Sequence, residues 1–430
     1  MSLLQAIRGR GARVTILGLG YVGLPLSVSM AEAGFAVTGF DINAERVRRL
    51  RTGASDVADV SRKRLRQALA HGKLQLLADA GELAADVFAI CVPTPFGKAR
   101  QPDLSCVTAA ARTVSQHLRR GTMVVLESTT YPGTTRDIVR PLLEGSGLKA
   151  GRDFALAFAP ERVDPGNPSF HIENTPRIVG GLTPRCARAA KAFYSQVTPD
   201  VRTVGSLETA EMAKLMENTF RHVNIALVNE MAVLCTDLGV DVWEMIDAAA
   251  TKPFGYMPFY PGPGVGGHCI PIDPCYLSYR VRELGRQARF VELAEAVNEE
   301  MPDYVVARVA DALNQRSQAL RGARILVLGA AYKRDVADTR ESPALKVIHK
   351  LRQKGALVRY HDPLVPEVNG TGEALHSVAL TAREMESCDC AVVVTDHSSL
   401  PYRELVRRCR LILDTRNALR RYRADNIVRL

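Results

Sequence analysis

The sequence predicts an α/β protein: two Rossmann-like, doubly wound domains joined by a long central helix and a helical middle domain. Three observations lead there. Short apolar runs of strand length alternate with helix-like stretches up to about residue 205, a long stretch without proline or glycine follows, and the alternation restarts at Arg324.

In the first segment the runs Val14–Leu17, Val37–Phe40, Val87–Val92, Met123–Glu127 and Phe154–Phe158 are each followed by turn residues or a helix-like stretch. That order marks a parallel sheet with crossover helices, in a domain spanning residues 1–205. Thr209–Asp237 reads as one helix: neither proline nor glycine interrupts it before Gly239, and its apolar residues cover more than one face. At ~43 Å it exceeds what one small domain needs, so it is expected to bridge domains or to face a second copy in a homodimer. The Pro- and Gly-rich run Pro253–Pro274 and the helical pattern of Tyr276–Asn314 complete a central domain, 206–315. In the last domain, 316–430, strand-like runs return at Arg324–Ala330, Leu357–His361, Ala391–Thr395 and Leu411–Asp414.

A chain of 430 residues is too long for one compact core. No apolar run reaches the ~18 residues of a membrane helix. The opening MSLLQAIRGRGARVTILGLG has no apolar signal core before a small-residue cleavage site, so the expected location is the cytoplasm. Nine cysteines are scattered without a framework, and the pairs Cys388/Cys390 and Cys269/Cys275 lack zinc-ligand spacing. A reducing compartment and no metal are expected. The formal charge of +10 comes from 56 Lys+Arg against 46 Asp+Glu. Arginines gather at Arg46–Arg66 and Arg403–Arg423, but acidic residues and amphipathic spacing interrupt both stretches. A solvated surface fits better than a nucleic-acid face, and part of the charge is available to an anionic substrate.

Gly18-Leu19-Gly20-Tyr21-Val22-Gly23 lies between an apolar strand and a helix-like run, the context that makes this spacing meaningful. The first glycine permits a tight turn, the second lets backbone approach a pyrophosphate, and the third lets helix and strand pack closely. The helix N-terminus adds N–H groups and a positive dipole. Asp41 ends the second strand, 18 residues beyond Gly23. Its carboxylate suits an adenosine ribose and repels a 2′-phosphate, so NAD is expected rather than NADP, with Arg46 nearby. Gly329-Ala330-Ala331-Tyr332 lacks this glycine spacing, so the last domain is not expected to bind the dinucleotide.

Between Gly262 and Asp273, glycines surround Cys269, with Asp273 four positions on. A thiolate suits aldehyde oxidation, since a thiohemiacetal can lose hydride to give a thioester. The commonest fate of a cysteine is a buried free thiol, and the residues alone leave the two readings level.

Seven motifs stand in order along the chain: GLGYVG (18–23), CVPTP (91–95), ESTTYPGTT (127–135), FAPERV (158–163), AEMAKLMENTF (210–220), GPGVGGHCIPIDP (262–274) and KRDVADTRESP (333–343). Together they resemble the UDP-glucose/GDP-mannose dehydrogenase family, over essentially the whole length. The resemblance implies NAD-dependent oxidation of a nucleotide-sugar C6 alcohol to the acid, in two steps at one site, by a dimer built on the long helix. It implies that Cys269 is the nucleophile, that Lys214 steadies a developing oxyanion beside Asn218, and that Asp273 holds a water. Glu161 would serve as base for thioester hydrolysis and Thr129 would orient the water. Without the resemblance Lys214 reads as a surface lysine paired with Glu211 or Glu217. Tyr21, Val22, Pro93, Thr94, Thr129 and Arg340 would join the NAD contacts. Glu161, Arg162, Lys214, Asn218, Arg221, Tyr260, Gly266, Lys333 and Arg416 would meet the UDP-sugar. The Asp-Thr-Arg-Asn around Arg416 departs from the more usual Asp-Gly-Arg.

His268, and the run 250–264, resemble the N-acetylaminosugar branch, which serves bacterial surface-polysaccharide synthesis. UDP-N-acetylglucosamine is the first expectation, then its galacto and manno epimers, then UDP-glucose. Cys275, six residues from Cys269, is either a packing residue or a redox partner.

Overall fold

The structure is a computed structural model that describes residues 2–55, 57, 59–97, 101–164, 167, 169–369 and 374–430. The chain forms two compact units, Met1–Glu217 with Tyr279–Gly285, and Asn218–Ser278 with Arg286–Leu430. The architecture is mixed α/β, a parallel-stranded sheet dominating each unit, with long helices between the two stretches of alternating strands and helices.

The first unit holds an eight-stranded sheet: β1 (Arg13–Leu17), β2 (Ala36–Phe40), β3 (Leu74–Leu77), β4 (Val87–Ile90), β5 (Met123–Leu126), β6 (Ala155–Phe158), β7 (Arg177–Gly181) and β8 (Val201–Val204). Their order is β3-β2-β1-β4-β5-β6-β7-β8. It begins with the dinucleotide-fold sequence 3-2-1-4-5-6. All neighbours are parallel except β6 and β7. Helices cover both faces, so central strands such as β4 and β5 are buried throughout and read as unbroken apolar runs. Alternate residues feed two cores: Met123 and Val125 point to one, Val124 and Leu126 to the other.

The sequence reading missed β3, β7 and β8. The case of β7, Arg-Ile-Val-Gly-Gly, has a clear physical reason. A Cβ at Gly180 would stand 2.3 Å from the Ser206 carbonyl oxygen, and one at Gly181 would stand 2.2 Å from the Ala187 nitrogen. The strand surrenders side chains so that neighbouring backbone can come close, and the apolar pattern disappears with them.

The second unit holds a parallel sheet of β9 (Arg324–Leu328), β10 (Leu357–His361), β13 (Cys390–Val393), β14 (Ile412–Asp414) and β15 (Ile427–Arg429), ordered β10-β9-β13-β14-β15. A short antiparallel ladder, β11 (Glu367–Val368) with β12 (Leu375–His376), accompanies it. Again two apolar clusters flank the sheet.

The long helix spans Leu207–Leu238, 32 residues, ~48 Å at 1.5 Å per residue. A second helix, Arg289–Asn314, carries Pro302 inside it. Among the described residues, no helix is long and apolar enough to cross a membrane.

Candidate active site

The glycine loop of the first unit is fixed by contact distances. Gly18 has φ +92°, and a Cβ there would lie 2.6 Å from the Cys91 carbonyl oxygen. At Gly23 a Cβ would fall 1.8 Å from the Gly18 carbonyl oxygen. Gly20 differs: the nearest atom to its added Cβ is Arg46 Nη1, at 3.9 Å, so the backbone is bare there. Val22 caps the helix Gly23–Glu32 with no side-chain hydrogen bond, and no acidic residue stands in the first turn. The helix end therefore offers N–H groups and positive dipole to a phosphate. Asp41 follows β2; it accepts hydrogen bonds from the Leu19 and Asn43 amides, each at 2.9 Å. The aspartate thus holds the loop in shape as well as carrying the charge expected to meet a ribose. Tyr21 is exposed and Val22 half-buried. Pro93 is exposed and Thr94 buried just after β4, which neighbours β1 where the strand order reverses. Thr129, half-buried, follows β5. An open glycine beside an uncapped helix end fits a dinucleotide.

Behind β5 and β6 lies a buried ionic cluster that the sequence reading did not anticipate. Arg177, at the start of β7, pairs with Glu127 at 2.9 Å and with Glu161. Tyr194 donates to Glu127 at 2.6 Å, and the Arg177 guanidinium lies 4.6 Å from the Tyr194 ring centre. Burial pushes the Glu127 carboxyl up despite Arg177, and pushes the Cys91 thiol up with Glu127 adding to it. Burial alone would lower Arg177; Glu161 and Glu127 outweigh it and keep the guanidinium protonated. The other Glu161 oxygen accepts from the amides of Arg162 and Val163, at 2.7 and 2.9 Å. Arg162 bonds the Pro176 carbonyl oxygen and pairs with Glu217.

Glu211 is buried and accepts from the Gly133 amide at 2.7 Å and from the Thr135 amide and hydroxyl at 2.9 and 2.6 Å. It therefore braces the loop that begins at Thr129. Lys214, one turn on, is 8% exposed. The surface pairing with Glu211 or Glu217 does not occur: both carboxylates are taken elsewhere, and Lys214 has no hydrogen bond or ion pair among the described residues.

In the second unit the glycine-rich loop carries Cys269, which is exposed, whereas Cys91, Cys186, Cys235, Cys388, Cys390 and Cys409 are buried; all are thiols. The buried-thiol alternative thus fails for Cys269. The loop is fastened at both ends to the long helix. At its end, Asn218 donates to Asp273, both buried. At its start, the Gly262 amide donates to Asn229 Oδ1 at 2.9 Å. Asn229 in turn donates to Asn298 on the second long helix, at 2.9 Å. The Cys269 carbonyl oxygen accepts the Asp273 amide at 2.8 Å, which leads the chain into the helix Asp273–Glu283.

The glycines let this loop lie against the residues around the last sheet. Cβ atoms at Gly266 and Gly267 would meet Tyr332 at 2.7 and 2.8 Å, and one at Gly262 would meet Arg416 Nη1 at 2.4 Å. The Gly267 amide donates to the Arg340 carbonyl oxygen at 3.0 Å. Burial pushes Arg416 down to about 10, and its Nε donates to the Val394 carbonyl oxygen at 2.9 Å. Arg340 pairs with Asp338, and Lys333 is half-buried. Burial, with Arg340 adding to it, pushes the His268 ring down. Tyr260 bonds Asp247 at 2.9 Å and stacks on Trp243. Arg221 is exposed. Cys275 donates to the Pro271 carbonyl oxygen at 3.3 Å.

Among the described residues of the first unit, the structure gathers Gly18, Gly20, Gly23, Asp41, Pro93, Thr94, Thr129 and Glu161 at the carboxyl ends of adjacent strands. In the second unit it gathers Asn218, Gly266, Cys269, Asp273 and Arg416 about one loop. Arg177, Asn229 and Asn298 stand in none of the motifs named above. A charged strand residue and two helical asparagines give no signal until their distant partners are known.

Three successive stretches of the chain match a known protein family. Residues 12–198, 208–300 and 326–421 match, in turn, the NAD binding, central and UDP binding domains of the UDP-glucose/GDP-mannose dehydrogenase family. The chain is 38% identical over 415 residues to a UDP-N-acetyl-D-mannosamine dehydrogenase of Pyrococcus horikoshii, covering 95% of this chain and 96% of the relative. It is 34% identical over 372 residues to a UDP-N-acetyl-D-glucosamine 6-dehydrogenase of Pseudomonas aeruginosa, covering 86% of each. The solved structure of the UDP-D-ManNAc dehydrogenase from Pyrococcus horikoshii matches with a TM-score of 0.88 at 36% identity, over 97% of this chain and 98% of that one.

Proposed function

Because the chain belongs to the UDP-glucose/GDP-mannose dehydrogenase family, whose members use NAD, we propose that it oxidises the C6 hydroxyl of a UDP-N-acetylhexosamine to the carboxylate through Cys269. The observation that carries this reading is the exposed thiol of Cys269 on a loop fastened at both ends to the helix of Asn218. A nucleophile must be reachable yet held, and this loop meets both needs.

Gly20, the helix end and Asp41 of the Gly18–Gly23 loop would hold NAD, with Tyr21, Val22, Arg46, Pro93, Thr94, Thr129 and Arg340 as further contacts, and two NAD bound in turn would each supply the hydride acceptor for one oxidation. Lys214 steadies the negative oxygen that develops at C6, as an oxyanion donor does. Cys269 adds to the C6 aldehyde as a thiolate, and the resulting thiohemiacetal loses a second hydride to become a thioester. Asp273, braced by Asn218, holds the water, and Thr129 and Glu161 direct its attack, which releases the acid and returns the thiolate. Arg162, Arg221, Tyr260, Gly266, Lys333 and Arg416 contact the nucleotide sugar. The segments 1–205, 206–315 and 316–430 serve the dinucleotide, the chemistry with dimerisation, and the UDP group.

For the sugar we place the manno epimer first, because the relative at 38% identity and the structure at TM-score 0.88 carry that name. The gluco epimer expected from the sequence comes next, supported by the relative at 34%. The test is NADH yield and product mass with UDP-N-acetylmannosamine, its gluco and galacto epimers, and UDP-glucose. The expected result is two NADH per uronic acid from one aminosugar, and none of that acid from Cys269→Ala. Normal acid formation by Cys269→Ala would overturn the scheme.

A further inference from the structure

Between the two fastenings of the Cys269 loop lies a histidine with no stated task. Asn218 holds the end of the loop through Asp273, and Asn229 holds its start through the Gly262 amide. His222 stands one turn beyond Asn218. At 100° per residue, Asn218, His222 and Asn229 fall within an arc of about 40° on one face of the helix. His222 is 3% exposed, and neither Nδ1 nor Nε2 has a hydrogen-bond partner among the described residues. Its backbone is secured, since Asn298 Nδ2 donates to the His222 carbonyl oxygen at 3.3 Å. The ring is therefore enclosed on the helix face that carries both fastenings of the loop, with a donor and an acceptor both unspent.

Leaving two buried polar atoms unmatched is unfavourable, a cost that ordinary packing would avoid with leucine. Burial also holds the ring neutral, pushing it down to about 4. A neutral imidazole has one N–H donor and one nitrogen acceptor. Its complement is a neutral group that both donates and accepts; a diphosphate, which only accepts, is not. Sugar hydroxyls and an acetamido group are of that kind.

We propose that His222 is a substrate-binding and specificity residue, which hydrogen-bonds a hydroxyl or the acetamido group of the hexose presented to Cys269. This rests on the reading of the Cys269 loop as the reaction site.

The experiment compares wild type, His222→Phe and His222→Asn with a UDP-N-acetylhexosamine and with UDP-glucose, and measures inhibition by UDP alone. His222→Phe keeps the ring volume without hydrogen bonds, and His222→Asn keeps a donor and an acceptor. The expected result is a roughly 10-fold rise in KM for His222→Phe, the equivalent of one lost hydrogen bond of about 1.4 kcal/mol. UDP inhibition should stay unchanged, and His222→Asn should recover part of the loss. A rise confined to the N-acetylated substrate assigns the acetamido group; a rise with both substrates assigns a hydroxyl. Unchanged KM in a folded His222→Phe, or UDP affinity falling in step, would overturn the proposal. Failure of the wild type with every UDP-sugar would instead sink the functional reading on which it stands.

Discussion

Glu211 shows how one buried carboxylate makes the site answer to pH. Burial pushes it up to about 7 from an ordinary 4.5, against the three donors of Gly133 and Thr135. The folded state therefore binds this proton more tightly than the unfolded chain does. Stability from this group is full below pH 4.5, falls as pH rises towards 7, and is level above. Glu211→Gln mimics the protonated form, so its melting temperature should lose less between pH 5 and 8 than that of the wild type. Equal slopes in the two proteins would refute the assignment. Much at this scale could be read in the sequence: Gly18, Gly20, Gly23, Asp41 and Cys269 sit in patterns whose chemistry is local. Arg177 could not. A charge opening an apolar strand reads as solvent-facing, and only folding brings Glu127 and Glu161, 50 and 16 residues away, around it.

Among elements, the strand–glycine–helix turn separates glycines that the fold needs from the one a ligand needs. Gly23→Ala forces a methyl to 1.8 Å from the Gly18 carbonyl oxygen, while Gly20→Ala meets nothing nearer than 3.9 Å. Calorimetry should find a lowered melting temperature for Gly23→Ala alone, and kinetics a raised KM for NAD with Gly20→Ala. The long helix is two-sided. Glu211, Lys214, Asn218, His222 and Asn229 are buried on one face. Met212, Met216, Phe220, Leu227, Leu234 and Leu238 are exposed, within an arc of about 80° on the far side. This apolar stripe supports the proposed dimer, since such stripes in a lone subunit are costly. The double substitution Leu227→Asp and Leu234→Asp should halve the mass seen by light scattering. The sequence reading took the dense apolar pattern for a helix covered on more than one side; which residues face inward emerged only with the fold.

Across the whole molecule the two units share a device. In each, the first glycine after the opening strand donates to the last residue of the second strand: Gly18 to Phe40 and Gly329 to His361, both at 2.8 Å. An aspartate then grips the loop. Asp41 takes Leu19, and Asp362 takes Ala330 and Ala331. Asp362 also accepts from the Leu364 and Val365 amides and meets His397 at 3.0 Å. Burial pushes its carboxyl up, but His397 and the loop amides prevail and hold it far below the usual range. With its oxygens so occupied, Asp362 has little left for a ribose, in keeping with the missing glycines of that loop.

The first unit is not continuous in the chain: Tyr279–Gly285 returns to it after a long stretch of the second. Tyr279 meets Tyr131, on the loop that follows Thr129, at 5.7 Å between ring centres, and Arg280 reaches Asp137, on the helical turn Thr134–Val139 after it, at 3.8 Å. A ribosome therefore cannot finish the first unit before making all of Asn218–Ser278. The nascent unit waits, its Thr129 loop lacking one brace, until Tyr279–Gly285 have cleared the exit tunnel. A fragment ending at Glu217 should accordingly resist proteolysis between residues 129 and 137 less well than one ending at Gly285; equal resistance would mean that the returning segment is dispensable.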